Sequence, residues 1–363
     1  ITSSAGGKGT LTFNGGTISS DSSTDRTLYN VLSFSGDATI GYSTNTGKLT
    51  FGAAGDLSTA TRSITVNDST TAEFGGALSS STSATGLTKA GAGTLILSGT
   101  NTYTGTTTIS AGTLQNGASN VISDSSAVQI ANSATWDLNG KTETVYSIAN
   151  AGVSTTGAIG LGVGTLTIKN TGGTSTTFSG VISGSGGVTL DSSNTGTTVL
   201  GNSANTYSGA TTINGGTLSV GVLANGLSNS SIGASSNADT NLVLGGGTLK
   251  YTGSTISTDR NFTITTGTTG TIDVTIAGTT LTLTGAAAAT TGALTKTGAG
   301  TLTLSGTNAY TGTTTISAGT LQLGQATVQT GSNPYAITSG PVGTNILTCL
   351  LYTSDAADEG LGV

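Results

Sequence analysis

The side chains that could carry chemistry are few in this chain, and their types exclude most catalytic sites. The 363 residues contain no His and one Cys, Cys349. A Ser-His-Asp triad and a Cys-His pair both need an imidazole base, so neither can form within this sequence. A zinc site normally uses several His or Cys ligands, which this composition cannot supply. We therefore predict no catalytic residue, no metal-binding residue, no cofactor-binding residue and no cofactor.

Carboxylates remain as candidates, because a pair of them about 5–10 Å apart can cleave a glycosidic bond. The acids that precede Cys349 are scattered, without an Asp-Asp pair or an Asp-x-Asp cluster: Asp21, Asp25, Asp37, Asp56, Asp68, Glu73, Asp124, Asp137, Glu143, Asp191, Asp239, Asp259 and Asp273. The Gly-rich stretch 245–247 lacks the Gly-Lys-Ser/Thr that completes a phosphate-binding loop. A polysaccharide-cleaving site therefore stays an alternative with no recognisable residues.

Three tyrosines recur in equivalent surroundings, at Tyr103, Tyr207 and Tyr310, each beside Asn and Gly. An aromatic ring can stack on a sugar, so a ligand-binding role is one interpretation. The other interpretation is structural, with each ring covering a corner of the chain. We favour the structural interpretation, because the three residues are about one hundred positions apart and cannot form one stacked platform.

The cationic side chains also have simple structural interpretations. Lys89 and Lys296 occupy equivalent positions, and we predict solvated turn residues rather than a basic site. The pairs Asp25–Arg26 and Asp259–Arg260 precede predicted strands and are interpreted as surface ion pairs. Surface ion pairs contribute little to stability.

The elements that hold these residues are predicted to be strands throughout. The chain has 59 Gly, only 7% charged residues and 34% hydrophobic residues. Leu, Ile and Val alternate with Thr and Ser, which is typical of half-buried strands. The net charge is −6 and no basic run occurs, so nucleic acid is not an expected partner. No apolar run is long enough for a membrane helix, so we predict no direct membrane insertion by this segment.

Internal repetition is the strongest signal in the sequence. The segment LTKAGAGTLILSGTNTYTGTTTISAGTLQ, Leu87 to Gln115, returns almost unchanged from Leu294 to Gln322. A diverged copy runs from Thr197 to Leu218, so the copies are about one hundred residues apart. Such a period predicts a solenoid, in which each unit packs only on its neighbours.

A shorter period lies within each copy, because Leu95 and Leu114 are 19 residues apart. We interpret about twenty residues as one coil of a single-stranded, right-handed parallel β-helix, an all-β solenoid of some seventeen coils. Alternation places Leu302, Leu304, Ile316, Leu321 and Leu323 in the interior and the threonines outside. Gly and Asn at the breaks suit tight corners.

Further strands echo these repeats. The segments Gly9–Phe13, Gly164–Ile168 and Gly247–Tyr251 share a Gly-Thr-Leu opening and are predicted coil strands. In the segment Trp136–Gly140, we expect Trp136 and Leu138 to point inward and the following Asn-Gly pair to turn.

We predict one continuous β-helix over residues 1–348, made of about three hundred-residue modules with repeat cores near 87–117, 188–221 and 294–324. Residues 349–363 break the pattern and resemble a translated sequencing adapter, so we interpret them as a non-native tail in which Cys349 has no functional weight. The sequence contains no Met. We therefore expect a fragment that starts downstream of the natural start and is truncated after Thr348.

The pattern LTKxGxGTLxLSGxNxYTGxTTIxxGTL resembles the passenger-associated transport repeat of bacterial autotransporters, also called the autotransporter-associated β-strand repeat. The middle copy departs from it, because the leading LTK element is missing and one residue is inserted before Asn205. The resemblance implies export by type V secretion and display of a passenger at the cell surface. It also implies a partner in the chain's own C-terminal outer-membrane β-barrel, which this fragment lacks.

Three functions follow as hypotheses. The first is a secreted, surface-displayed stalk of an adhesin, not an enzyme, whose repeats assist passenger transport and folding and whose outer surface could bind a host surface or a glycan. The second is a polysaccharide-acting β-helix enzyme with catalytic residues elsewhere. The third is an ice-binding solenoid, suggested by Thr-x-Thr strands, although that function needs a flat Thr array on every coil.

Overall fold

The chain forms a parallel β-solenoid with almost no helix. The computed structural model describes residues 7, 9–42, 44–82, 85–153, 156–325, 328–330, 336–340, 342–343 and 347–349. Within these ranges lie 39 short strands and one 3-10 helix, Asp239–Asn241. Gly and Asn corners interrupt the alternating Thr and Leu at short intervals, which explains why the strands are only two to six residues long.

The strand bounds follow the chain order. The first third contains β1 Leu11–Phe13, β2 Thr17–Ile18, β3 Arg26–Leu28, β4 Leu32–Phe34, β5 Ala38–Ile40, β6 Leu49–Phe51, β7 Gly55–Asp56, β8 Arg62–Val66, β9 Thr71–Phe74, β10 Leu78–Ser79, β11 Leu87–Ala90, β12 Thr94–Leu97 and β13 Thr107–Ile109. The middle contains β14 Thr113–Asn116, β15 Ala127–Ile130, β16 Thr135–Asp137, β17 Glu143–Val145, β18 Ser147–Asn150, β19 Ala158–Gly160, β20 Leu166–Ile168, β21 Ser175–Phe178, β22 Val181–Ser183, β23 Val188–Leu190, β24 Thr197–Leu200, β25 Thr211–Ile213 and β26 Thr217–Val220. The last third contains β27 Leu242–Leu244, β28 Thr248–Tyr251, β29 Ile256–Thr258, β30 Thr263–Ile264, β31 Thr269–Val274, β32 Thr280–Leu283, β33 Ala293–Thr297, β34 Thr301–Leu304, β35 Thr314–Ile316, β36 Thr320–Leu323, β37 Val328–Thr330, β38 Ala336–Ser339 and β39 Leu347–Cys349.

Strands one coil apart pair in parallel and form three faces along the rod. Face 1 contains β1, β4, β7, β10, β17, β20, β23, β25, β27 and β30. Face 2 contains β2, β5, β8, β11, β13, β15 and β18, which β21, β24, β26, β28, β31, β33, β35 and β39 continue. Face 3 contains β3, β6, β9, β12, β14, β16, β19 and β22, and later β29, β32, β34 and β36. The hairpin of β37 and β38 is antiparallel and stands apart from the three faces.

The predicted fold class is confirmed, but the coils are longer than predicted. The solenoid has about 13 turns of about 23 residues, rather than seventeen turns of twenty. The prediction measured the period inside a repeat, where β12 and β14 pair Thr94 with Thr113. Outside the repeats the step is larger, as between Leu49 and Ala72. At about 4.8 Å per turn, the coils form a rod about 60 Å long.

The core is a narrow apolar column filled by alternate residues of each strand. The burial pattern of β12, half-buried then buried in alternation, is repeated on all three faces. Leu302 and Leu304 are buried as predicted. Stacking therefore supplies the apolar burial that an isolated coil cannot provide.

The prediction of interior positions fails at the last repeat. Ile316 and Leu321 are half-buried, and Leu323 is 47% exposed. The reason is that β36, which contains Leu321 and Leu323, is the final strand of face 3 among the described residues. Without a following strand on that face, its side chains are covered from one side only.

Aromatic residues fill the first coils of the core. Phe13 stacks on Phe34 with ring centroids 4.9 Å apart, and Phe51 stacks on Phe74 at 5.0 Å. Such offset pairs add to the burial of their area. The strand predicted at Trp136 is confirmed, since Trp136 and Leu138 are buried and Asn139 turns with a φ of 50°.

The far end of the chain is only partly described. β39 pairs with β35 and places Cys349 in register with Ile316, so parallel pairing reaches the first residue of the predicted tail. The rest of that tail, residues 350–363, lies outside the described residues. No helix in the part of the chain that the structure describes has the length and apolarity of a membrane span.

Candidate functional site

The candidate functional features of this chain are contacts between coils. Within the described ranges, no three His, Cys, Asp or Glu side chains come together as a metal site. Glu143 is buried, whereas acids such as Asp21 and Asp124 are exposed. The residues that the sequence repeats, by contrast, converge at the coil corners. The repeats are therefore the candidate functional site.

Lys89 and Lys296 are buried, which corrects the prediction of solvated turn residues. The ammonium of Lys89 donates to the carbonyl oxygens of Ala90 at 3.0 Å, Gly91 at 2.8 Å and Ala111 at 3.1 Å. The first two carbonyls belong to the same corner as the lysine, and the third belongs to the next coil. One side chain therefore fixes the corner and ties it to the following coil.

The second lysine repeats this geometry. Lys296 donates to Thr297 at 2.5 Å, Gly298 at 2.8 Å and Ala318 at 3.2 Å. Burial lowers the pKa of Lys89 to about 8, so its amine remains mostly protonated at pH 7 and keeps three N–H donors. Burial also lowers the pKa of Lys296, and the charge of Asp273 opposes that shift.

An asparagine in each repeat takes the place of a backbone peptide group. The side-chain oxygen of Asn101 accepts from the N–H of Leu78 in the preceding coil at 2.7 Å, and its amide nitrogen donates to Val121 in the following coil at 2.7 Å. The polypeptide has no strand at this point of face 1. The side-chain amide continues the ladder of hydrogen bonds there, so three coils are joined across a gap in the sheet.

The other copies reproduce this link. Asn205 accepts from Ile182 at 2.8 Å and donates to Ser231 at 3.0 Å. Asn308 accepts from Ala287 at 2.6 Å. These asparagines are buried, so an unpaired amide at any of them would cost stability. Sequence reasoning missed their role and assigned Asn to corners in general.

The repeated tyrosines are buried, which supports their structural interpretation and leaves no exposed ring for a sugar. Each phenol shares a hydrogen bond with a threonine four residues later, as between Tyr103 and Thr107 at 2.9 Å. The pair Tyr310 and Thr314 is 2.7 Å apart. Burial raises the pKa of Tyr310 to about 12, and the hydrogen bond to Thr314 partly opposes this rise. The phenols are therefore neutral and act as packing and hydrogen-bonding groups.

A glycine near the end of each repeat is required by the approach of the preceding coil. Gly112 has a φ of 64°, and a Cβ at this position would lie 2.5 Å from the oxygen of Gly91. Gly319 has a φ of 66°, and its Cβ would lie 2.3 Å from the oxygen of Gly298. Backbone conformation and space thus both exclude a side chain.

The middle copy builds the same corner without a lysine. Its pairing register places Leu190 where the first copy has Lys89. Asn194, which is buried, accepts from the N–H of Gly196 at 2.9 Å and donates to Ile168 in the preceding coil at 3.2 Å. A side-chain amide therefore replaces the lysine as the link between coils, which accounts for the divergence of this copy.

The middle copy is also turned by one face around the rod. The first copy places its two leading strands on faces 2 and 3, as β11 and β12, and the third copy does so with β33 and β34. The middle copy uses faces 1 and 2, with β23 and β24. The middle copy is therefore offset from the other two by a number of coils that is not whole, and its asparagine link at Asn205 lies on a different face from those of Asn101 and Asn308.

The two predicted surface ion pairs are both wrong. Arg26 pairs with Asp21 at 2.8 Å, while the carboxylate of Asp25 accepts from the backbone N–H of Lys48. Arg260 is buried, because the excursion between β26 and β27 folds over it. Its guanidinium donates to the oxygens of Ala224, Asn225, Ser228, Gly233 and Ser235. The arginine holds this excursion against the rod, and Asp259 assists by accepting from Gly226.

One signal in the sequence could have revealed the buried lysines. Leu87 points inward and Thr88 outward, so strict alternation places Lys89 inward as well. The ammonium avoids the apolar core because the corner directly after β11 offers carbonyl oxygens. A charged residue at an inward position next to a Gly corner is thus a sign of a link between coils.

Comparison with known proteins agrees with this geometry. A family model described as the passenger-associated-transport-repeat matches residues 87–115, 193–220 and 294–323. Over 241 residues the chain is 43% identical to a protein of Brucella suis biovar 1 (strain 1330) named adhesin BmaC autotransporter. The matched part is 66% of this chain and 7% of that relative. No solved structure matches the chain.

Proposed function

We propose that the chain, which contains three passenger-associated transport repeats, belongs to an autotransporter passenger region and forms part of the stalk of a surface-displayed adhesin. Passenger identity places it at the cell surface, attached to the outer membrane. Adhesion is proposed because the relative is named an adhesin, and this chain spans only 7% of that relative.

The single observation that carries the stalk proposal is the unbroken stack of coils. Buried side chains continue from Phe13 to Tyr310 in one apolar column. A stack of this kind gains length by adding coils, and each coil contacts only its neighbours. Extension away from the membrane is therefore the property that this architecture provides.

The repeats have a proposed role in folding during transport. Asn101 joins three successive coils, and Lys89 joins two. A coil that carries such a residue offers a hydrogen-bonding side chain in a fixed position. The backbone of the next coil can bind this side chain as that coil folds onto the stack. Register errors between coils are the main hazard of a polar, Gly-rich strand. Locking the register at intervals would assist both transport and folding of the passenger.

The segment is proposed to be non-enzymatic, in keeping with the adhesin name of its relative. Its proposed partners are the C-terminal outer-membrane barrel of its own full-length chain and a host-surface or glycan ligand. The outward Thr, Ser and Asn side chains offer hydrogen-bonding groups for such a ligand. No observation favours a polysaccharide-cleaving function.

The ice-binding alternative needs a flat Thr array. On face 2, one outward column is uninterrupted over six strands: Thr197, Thr217, Thr248, Thr271, Thr295 and Thr315. The column two residues further along contains Val199, Lys250 and Asp273. Because a long cation and a carboxylate project from this second column, the face is not flat.

The stalk proposal is tested by shortening the rod without disturbing its folding unit. Deletion of residues 104–310 joins Tyr103 to Thr311 and rebuilds a complete repeat at the junction. In the full-length gene, the deletion should leave surface labelling of intact cells unchanged and reduce attachment to the target surface. Attachment at the full level, with equal surface labelling, would contradict a role in extension.

A further inference from the structure

Glu143 is a buried carboxylate in the core of the rod. It is the first residue of β17 and points inward, with no exposed surface. The two following coils of face 1 fill the same position with apolar residues, Leu166 and Val188. A carboxylate at an apolar core position is costly unless hydrogen bonds or a proton neutralise it.

Three donors surround this carboxylate. Its oxygen atoms accept from the side-chain nitrogen of Asn116 at 2.5 Å and from the backbone N–H groups of Val121 at 3.0 Å and Ile122 at 3.1 Å. Asn116 in turn accepts from the indole N–H of Trp136 at 2.9 Å. Glu143 therefore fixes the connection between β14 and β15 to the next coil, and Trp136 belongs to the same hydrogen-bonded cluster.

The charged groups around this cluster do not neutralise the negative charge of the Glu143 carboxylate. Among the described residues, no Lys or Arg forms an ion pair with it, and Lys169 pairs instead with Asp124 at 3.6 Å. The inward neighbours on β16 and β20 are Trp136 and Leu166, which do not titrate. Burial raises the pKa of Glu143 to about 7, the three hydrogen bonds oppose this rise and the charge of Asp124 adds to it. Burial raises the pKa of Tyr103, and the charge of Glu143 adds a smaller contribution to that rise.

We propose that the Glu143 cluster is a pH-sensitive joint of the rod, firmest in acid when Glu143 is protonated and weaker when the carboxylate ionises in the core. In the unfolded chain the same carboxyl titrates near 4.5. A group whose pKa is raised by folding stabilises the fold fully below the unfolded value. That contribution is lost as pH rises through the folded value, here between about 4.5 and just above 7.

The test uses the whole chain and compares it with Glu143→Gln, which keeps a neutral acceptor at the same place. Hydrogen exchange of the amides of Val121 and Ile122, corrected for the intrinsic rate, is followed from pH 4.5 to pH 8. In the unchanged protein their opening equilibrium should rise by about a hundredfold over this range. In Glu143→Gln it should vary little.

Trp136 provides a second measurement, because it is the single tryptophan of the chain. Its fluorescence should titrate with a midpoint near pH 7 in the unchanged protein, a result that stands even if the variant fails to fold. Glu73→Gln is the matched control, since Glu73 is half-buried beside Lys48 and should keep the tryptophan titration. Constant fluorescence across this range, or equal exchange profiles in protein and Glu143→Gln, would overturn the proposal.

Discussion

The ammonium nitrogen of Lys89 lies 3.1 Å from the carbonyl oxygen of Ala111, which belongs to the following coil. A charged side chain at an inward position of strand β11 is therefore used to join coils. This relationship is repeated by Lys296 and Ala318 in the last repeat. It identifies the repeat as a set of links between successive coils.

Replacement of Lys89 by Met should destabilise the rod by about 2–3 kcal/mol, because three carbonyl oxygens lose their donor in a buried corner. Denaturant unfolding measures the loss. Lys250→Met is the control, since Lys250 points outward on β28. Equal stabilities of the two variants would show that the buried contacts contribute nothing.

Asn101→Ala should cost about 2 kcal/mol, because the N–H of Leu78 and the carbonyl of Val121 both lose a partner. Asn101→Asp keeps an acceptor for Leu78 and faces Val121 with a second oxygen, so it should not rescue the protein. Asn229→Ala, at an exposed position of the excursion, is the control. The free energy of unfolding should be lower for both Asn101 variants than for Asn229→Ala. An Asn101→Ala variant with an unchanged free energy of unfolding would refute the linking role.

Two glycines with similar backbone angles allow the cost of backbone strain to be distinguished from the cost of a steric clash with a neighbouring coil. Gly112 and Gly152 have φ values of 64° and 70°, but only Gly112 faces a neighbouring carbonyl within reach of a Cβ. Gly152→Ala should cost about 1 kcal/mol for the left-handed backbone alone. Gly112→Ala should cost at least about 2 kcal/mol, because the preceding coil must also move. Thermal unfolding compares them, and equal melting temperatures would contradict the role of the close approach.

Arg260→Met should release the excursion between β26 and β27, because the carbonyl oxygens of Ala224 and Gly233 lose a shared donor. Limited proteolysis should then cut within residues 221–241 under conditions in which the unchanged protein resists. Arg26→Met, which removes an exposed pair with Asp21, should leave the cleavage pattern unchanged. Identical patterns for both variants would mean that Arg260 does not anchor this segment.

The sequence by itself determined the fold class and the location of the repeats. Alternation of Leu with Thr settles which side of a strand is buried, since the side-chain period of a strand is two residues. Gly and Asn mark the corners, and the recurrence of one long pattern requires a structure in which equivalent units stack. Burial of Leu302 and of Leu304 could therefore be predicted from local order alone.

Only the tertiary structure decided what the polar residues of the repeats do. One of the three acceptors of Lys89 and both partners of Asn101 lie in neighbouring coils, about twenty residues away in the chain, and no local pattern identifies them. The same holds for Arg260, which is buried by an excursion that precedes it. The number of residues per coil was predicted wrongly for a related reason. It depends on the lengths of the corner segments, which the spacing inside one repeat does not give. A hydrogen bond between coils depends on register and corner shape together, and these are set only when the coils stack.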